Sequence, residues 1–116
     1  MKQKERLKIL LPTLRERERY ISFQVISEEQ ITYSDLESAI WNQFLDFYGE
    51  YGVSKMNIWI IKNLWNERNQ TAVIKCNNKS VSEVLAGLGL ISRLGDIRVI
   101  FKILGISGTL KGLKLK

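Results

Sequence analysis

A chain of 116 residues, 45% hydrophobic with a single proline, is long enough for one domain around one core and too apolar for disorder outside its ends. One cysteine and no histidine exclude an internal disulfide and a cysteine-based metal site within one chain, and remove the commonest general base. The net charge of +6 is unevenly spread: Met1–Arg19 carries seven basic residues against three acidic, Tyr20–Ile97 six against nine, and Arg98–Lys116 five against none.

Positive charge held in two terminal segments around a near-neutral middle points to a surface that binds a polyanion. The start, KQKERLK, lacks the apolar core of a signal peptide, and no apolar run approaches the roughly 18 residues of a membrane span. A cytoplasmic protein with no membrane partner is expected. Met1–Leu11 reads either as a short helix stopping before Pro12 or as an arm. In the following LRERERY, extended backbone puts Arg15, Arg17 and Arg19 on one side and Glu16 and Glu18 on the other. Such a row is either a solvated face or a set of guanidiniums able to bind phosphates bidentately.

Tyr20–Ser27 alternates Ile21, Phe23 and Val25 with polar residues, the pattern of a half-buried strand. Ser34-Asp-Leu-Glu37 has the form of a capping box and opens a helix to about Tyr48. Leu36, Ile40, Phe44 and Phe47 form its stripe, with Trp41, Leu45 and Tyr48 beside it. That arc is wider than a core contact needs, so part of it is expected to meet another chain. Gly49 and Gly52 are expected to end the helix.

Asn57–Asn63 and Gln70–Asn77 read as two strands of a hairpin joined by NERN. Asn77-Asn78-Lys79-Ser80 then offers either a plain helix cap or an anion-binding nook of backbone N–H groups beside Lys79. A second capping box, Ser80-Val-Ser-Glu83, opens a helix whose core face is Val81, Val84, Leu85, Leu88 and Ile91, with Gly95 as its left-handed terminus. Gly87 and Gly89 inside it mean either close packing on the sheet or backbone left open for a partner. Cys76, in the apolar run AVIKC, reads as a small buried hydrophobe.

The last strand, Ile97–Leu104, turns Ile97, Val99, Phe101 and Ile103 inward and Arg98 and Lys102 outward. Beyond it Gly105, Gly108 and Gly112 are spaced among Lys111, Lys114 and Lys116, as in a mobile segment contacting a nucleic-acid backbone. GISG has the GxxG form of a KH loop but follows a strand rather than joining two helices.

The order strand–helix–strand–strand–helix–strand predicts an α+β fold of the ferredoxin-like, RRM-like plan. That means a four-stranded antiparallel sheet with both helices on one face, as one domain over 1–116. Residues 1–19 would be a basic arm, 20–104 the core and 105–116 a basic tail. The open face would mix Ser22, Gln24, Val73, Lys75, Ile100 and Leu104 with Trp59. The third strand lacks the stacking aromatics of a single-strand RNA binder, so a half-apolar open face is expected to dock protein.

Four blocks in register are specific: LLPTLRERERYISFQVIS, FYGEYGVSKMNIWIIK, IKCNNKSVSEVLAGLGLIS and VIFKILGISGTLKG. Over Leu11 to about Lys111 the chain resembles the archaeal and eukaryotic ribonuclease P protein component 2 family. It departs from the alanine-rich second helix of that family at Ala86-Gly-Leu-Gly89. The resemblance implies a non-catalytic subunit of the ribonucleoprotein that removes the 5′ leader from precursor tRNA. In that assembly the RNA subunit, with its own magnesium, does the hydrolysis, and the protein binds no cofactor. Implied partners are ribonuclease P RNA, protein component 3, the other ribonuclease P proteins and, in the holoenzyme, precursor tRNA; self-association is left open.

On this reading Arg15, Arg17, Arg19, Lys55, Lys75, Asn77, Lys79, Lys111 and Lys114 contact RNA. Trp41, Leu45, Tyr48, Trp59, Ile100 and Leu104 contact protein. The alternative is a ferredoxin-like RNA-binding or ribosome-associated protein outside ribonuclease P. An acylphosphatase-like enzyme would need a glycine-rich loop ending in arginine after the first strand, where this chain has the acidic Ser27-Glu-Glu-Gln-Ile31.

Overall fold

The computed structural model describes residues 17–113; the expectations for Met1–Leu11, Arg15 and Lys114–Lys116 lie outside the described residues. The elements are β1 (Glu18–Ser27), α1 (Tyr33–Met56), β2 (Trp59–Ile60), β3 (Thr71–Asn77), α2 (Val81–Leu90), β4 (Arg93–Leu94) and β5 (Ile97–Ser107). They form an antiparallel sheet in the order β2-β3-β1-β5-β4 with the helices packed on one face. Hydrophobic alternation explains the central place of β1. Ile21, Phe23 and Val25 are buried against Leu36, Ile40 and Phe44 of α1 and Val84 and Leu88 of α2.

The ferredoxin-like class holds, with five strands where four were expected. The added strand, β4, pairs only through Arg93↔Arg98 and Leu94↔Ile97. Gly95, with φ of +64°, takes the first position of that two-residue turn, a place that favours glycine. It therefore turns a hairpin instead of ending α2, which stops at Leu90 with Ile91 as its cap.

Both expected capping boxes fail, each because the helix begins elsewhere. The α1 cap is Thr32, whose hydroxyl accepts from Asp35 N–H at 3.2 Å; Ser34 is already inside the first turn. Ser80 makes no side-chain cap, because the single 3-10 turn Asn78–Ser80 leads straight into α2. Nor does α1 end near Tyr48. It breaks at Gly49 (φ 71°, ψ 173°) and resumes, burying Val53 and Met56. That backbone region is essentially open to glycine alone, so the residue that read as a stop is a kink.

The strand expected over Asn57–Asn63 pairs only at Trp59 and Ile60 before the chain turns away through Lys62–Leu64. At the other end, β5 outruns its expected limit by three residues. A bulge at Leu104, between the pairs Phe23↔Ile103 and Ser22↔Gly105, keeps Gly105–Ser107 in the ladder with β1. The core thus extends to Ser107. The tail, expected to be mobile, folds back through the turn Lys111–Leu113, and a Cβ at Gly105 would meet Leu113 Cδ2 at 3.9 Å. Ile103, expected inward, is 37% exposed because it stands near the free edge of the sheet.

The two helix glycines separate cleanly. A Cβ at Gly87 would stand 2.6 Å from Cε1 of the buried Phe44 ring, whereas one at Gly89 would meet nothing within 4 Å. Gly87 therefore serves helix–helix contact, not the helix–sheet packing expected. Urea unfolding should show Gly87→Ala losing about 1–3 kcal/mol through overpacking. Gly89→Ala should gain up to about 1 kcal/mol from helix propensity alone.

Candidate nucleic-acid interface

The start of β1 and the end of β3 are paired, Glu18 with Asn77 and Arg19 with Cys76. Asn78 N–H donates to Arg17 C=O at 2.7 Å, carrying the ladder one residue further. At this end Asn77 is buried, and both ends of its amide are engaged. Its nitrogen donates to Lys55 C=O at the end of α1, and its oxygen accepts from Lys79 N–H at 3.1 Å. One side chain thereby gathers the end of α1, the end of β3 and the turn into α2.

The C-terminal segment reaches the same place from the other side. Tyr20 pairs with Ser107, and the next residue, Gly108, lies against Arg19; a Cβ there would come within 3.3 Å of Nη1. Lys111 follows in the turn that packs beside β1 and β5. Arg17, Arg19, Lys55, Lys79 and Lys111 thus share one end of the sheet, and all but the partly buried Arg19 are exposed.

Strand alternation sorts the charges. Arg19 follows Ile21 onto the helix side, while Glu18 falls on the open side and pairs with Lys75 at 3.6 Å. That is the one ion pair among the described residues. Arg17, Arg19, Lys79 and Lys111 have no carboxylate within 4.0 Å there. Arg19 Nη1 donates to Glu18 C=O at 3.0 Å, and Lys55 Nζ stands 4.7 Å from the centre of the exposed Tyr51 ring. Such a group can neutralise phosphates. No three His, Cys, Asp or Glu side chains converge among the described residues.

Two of the expected RNA contacts change standing. Asn77 acts as a joint: its amide is buried and bonded at both ends to the backbone, which leaves it little access to a ligand. Lys75 stands 3.6 Å from the Glu18 carboxylate, which competes with a phosphate for it. The expected protein-contact residues do not form one surface. Trp59, Ile100 and Leu104 are 62%, 66% and 50% exposed, but two strands, β3 and β1, separate Trp59 from Ile100 on the open face. Leu45 is exposed on α1, whereas Trp41 packs against the core. Tyr48 is occupied within the fold, its hydroxyl donating to Glu83 C=O at 2.8 Å and its ring edge-on to Phe44.

Gln70 carried no signal in the sequence, yet with φ of 53° it closes the opposite end of β1. Its amide donates to Val25 C=O at 2.8 Å and Ser27 Oγ at 3.0 Å, and its oxygen accepts from Ile31 N–H at 2.7 Å.

An RRM-like sandwich with a cationic end and no stacking aromatics on β3 defines a class: a small α+β module of the ferredoxin-like plan. The Rpp14/Pop5 family model matches residues 19–116, and the chain belongs to that family. Among curated relatives, ribonuclease P protein component 2 of Pyrococcus furiosus is 45% identical over 112 residues, covering 97% of this chain and 92% of the relative. Its counterparts in Thermococcus kodakarensis and Methanocaldococcus jannaschii are 37% and 34% identical, each across 97% of this chain and covering 92% and 81% of the relative. In fold the chain is similar to one in the cryo-EM structure of yeast ribonuclease MRP, with a TM-score of 0.64 at 15% identity, over 83% of this chain and 77% of that one.

Burial pushes the Cys76 thiol up to about 11. It should resist a thiol reagent at pH 8 in the native protein and react at once in denaturant. A raised folded pKa means the neutral thiol's contribution is complete below its ordinary value and fades as pH climbs from about 9.0 towards 11. Asn77→Ala should cost about 1–3 kcal/mol in chemical unfolding, because Lys55 C=O and Lys79 N–H would be left without a partner.

Proposed function

We propose that this protein is a subunit of ribonuclease P, the ribonucleoprotein that removes the 5′ leader from precursor tRNA. Its part is to bind and stabilise the catalytic domain of the RNA. The observation that carries this is the convergence of Arg17, Arg19, Lys55, Lys79 and Lys111 at one end of the sheet, in a chain of the Rpp14/Pop5 family.

The mechanism is electrostatic. RNA helices repel one another through their phosphates, and cations presented on a rigid end offset part of that repulsion. Arg17 and Arg19 suit bidentate phosphate contact, while Lys55, Lys79 and Lys111 act as point charges. With part of the phosphate charge neutralised by protein, the RNA reaches its metal-binding fold at lower magnesium. The magnesium and the hydrolysis belong to the RNA; this chain contributes no base, nucleophile or cofactor. In the assembly it pairs with protein component 3 and the other ribonuclease P proteins, acts on precursor tRNA only through the holoenzyme, and works in the cytoplasm.

The test is reconstitution with ribonuclease P RNA and component 3. Replacing Lys79 and Lys111 by alanine should raise the magnesium needed for half-maximal cleavage. It should also flatten the log–log salt dependence of RNA binding by about 0.7–0.9 for each phosphate the variant no longer neutralises, while leaving unfolding unchanged within about 0.5 kcal/mol. Unchanged magnesium dependence and RNA affinity would overturn the role of this end. No gain in activity on adding the native protein would overturn the assignment to ribonuclease P.

A further inference from the structure

The outer side of β5 is nearly bare. β4 covers only its first two residues, and Val99 N–H donates to Ser92 C=O at 3.0 Å. Beyond that, Phe101–Ser107 makes no outward backbone hydrogen bond among the described residues.

The direction of the free groups follows from the register. Val25 N–H donates to Gln70 C=O on the β3 side at 2.8 Å, so by the two-residue period Phe23 and Ile21 point the same way. Facing residues of an antiparallel pair point either both inward or both outward. The partners of Val25, Phe23 and Ile21 are Phe101, Ile103 and Ile106, and these turn their N–H groups away from the sheet. The bulge at Leu104 absorbs the extra residue and keeps all three in phase.

The side chains along this edge are apolar and basic. Ile100, Ile103, Leu104 and Ile106 are 66%, 37%, 50% and 47% exposed. Arg93 stands directly opposite Arg98, an arrangement of like charges that costs stability when unrelieved. Lys102 lies two places further from Arg98 on the same face as Ile100. None of the three cations has a carboxylate within 4.0 Å among the described residues. A groove of about 500 Å³ runs here between Ile26, Ile100, Arg93 and Arg98, with Glu28 the one carboxylate in its lining.

We propose that this edge accepts an extended segment of a partner protein as a sixth strand, with acidic residues alternating with apolar ones. Open-face positions of such a strand would lie beside Lys102, with Arg98 and its β4 partner Arg93 at the strand's end, and its other face beside Phe101 and Ile103. Free backbone N–H groups supply affinity and the flanking side chains supply choice, as in strand addition generally. A nucleic-acid strand would answer the cations but not the row of apolar residues. The chain's own Met1–Glu16 holds five basic residues against two acidic and would add to the repulsion. A second copy of β5 would offer Arg98 and Lys102 a strand with no acidic residue. Lys102 and the bulge keep the edge from pairing indiscriminately.

The probe is a fluorescent ten-residue peptide of alternating glutamate and valine, titrated into the purified chain by anisotropy, with backbone amide exchange followed by NMR. Saturable binding is expected, with exchange at Phe101, Ile103 and Ile106 slowed about tenfold. Arg98→Glu with Lys102→Glu should weaken binding about tenfold or more. Lys102→Glu alone serves if the double variant loses its dispersed amide spectrum. Three results would overturn the proposal: equal binding of a lysine–valine peptide, unprotected edge amides, or protection of the same amides by poly(U) or by self-association in sedimentation. Lys102 pairs with Gln24, roughly 17 Å from Arg19 along β1 at about 3.3 Å per residue, and Arg98 lies further still, so failure of these variants leaves the ribonuclease P reading untouched.

Discussion

A helix leaves its last carbonyls without partners, and a buried one must find a donor. Here the donor for Lys55 is the side chain of Asn77, and the same amide's oxygen takes the Lys79 N–H. Asn57, left-handed with φ of 52°, closes the second half of α1, and this pair of hydrogen bonds joins that end to the entry into α2. Because β3 is held in register with β1 at that point, it also decides which cations share a surface. Lys55, Lys79, Arg17 and Arg19 come from three separate stretches of sequence and meet only around this residue.

Close approach is the second constraint, and glycines meet it in distinct ways. Gly49 supplies a backbone conformation no side chain tolerates, so one helix can bend and bury Val53 and Met56 as well as Phe44. Gly87 removes the atom that would collide with the Phe44 ring. Gly108 leaves room for the Arg19 guanidinium, which ties the C-terminal segment to the cationic end. Gly89 meets none of these demands.

The charge distribution then gains a spatial meaning. The cationic end is rigid, since its residues project from paired strands, the last turn of a helix and a folded-back turn. The Arg93–Arg98 pair and Lys102 form a separate basic region at the other end of the sheet, set among exposed isoleucines instead of polar neighbours. Rigid cations in polar surroundings suit phosphates, and cations beside an open, apolar strand edge suit an acidic polypeptide. One acid-free segment, Arg98–Lys116, feeds both regions because β5 spans the length of the sheet between them.

The local order of the elements was legible in the sequence, because two-residue alternation in Tyr20–Ser27 and Ile97–Leu104 and the helical stripe of Leu36, Ile40 and Phe44 are properties of neighbouring residues. The excess of charge at the ends, the buried cysteine in its apolar run and the family resemblance carried by four ordered blocks were legible for the same reason. Helix limits were not: Ser34-x-x-Glu37 and Ser80-x-x-Glu83 fit the capping pattern, but tertiary packing set the starts at Thr32 and after a 3-10 turn. Asn77 read as a contact residue because a sequence cannot show that an amide is buried between two backbone groups. Which cations gather, which glycine is indispensable and which strand edge stays open depend on residues distant in the chain, and only the folded arrangement decides them.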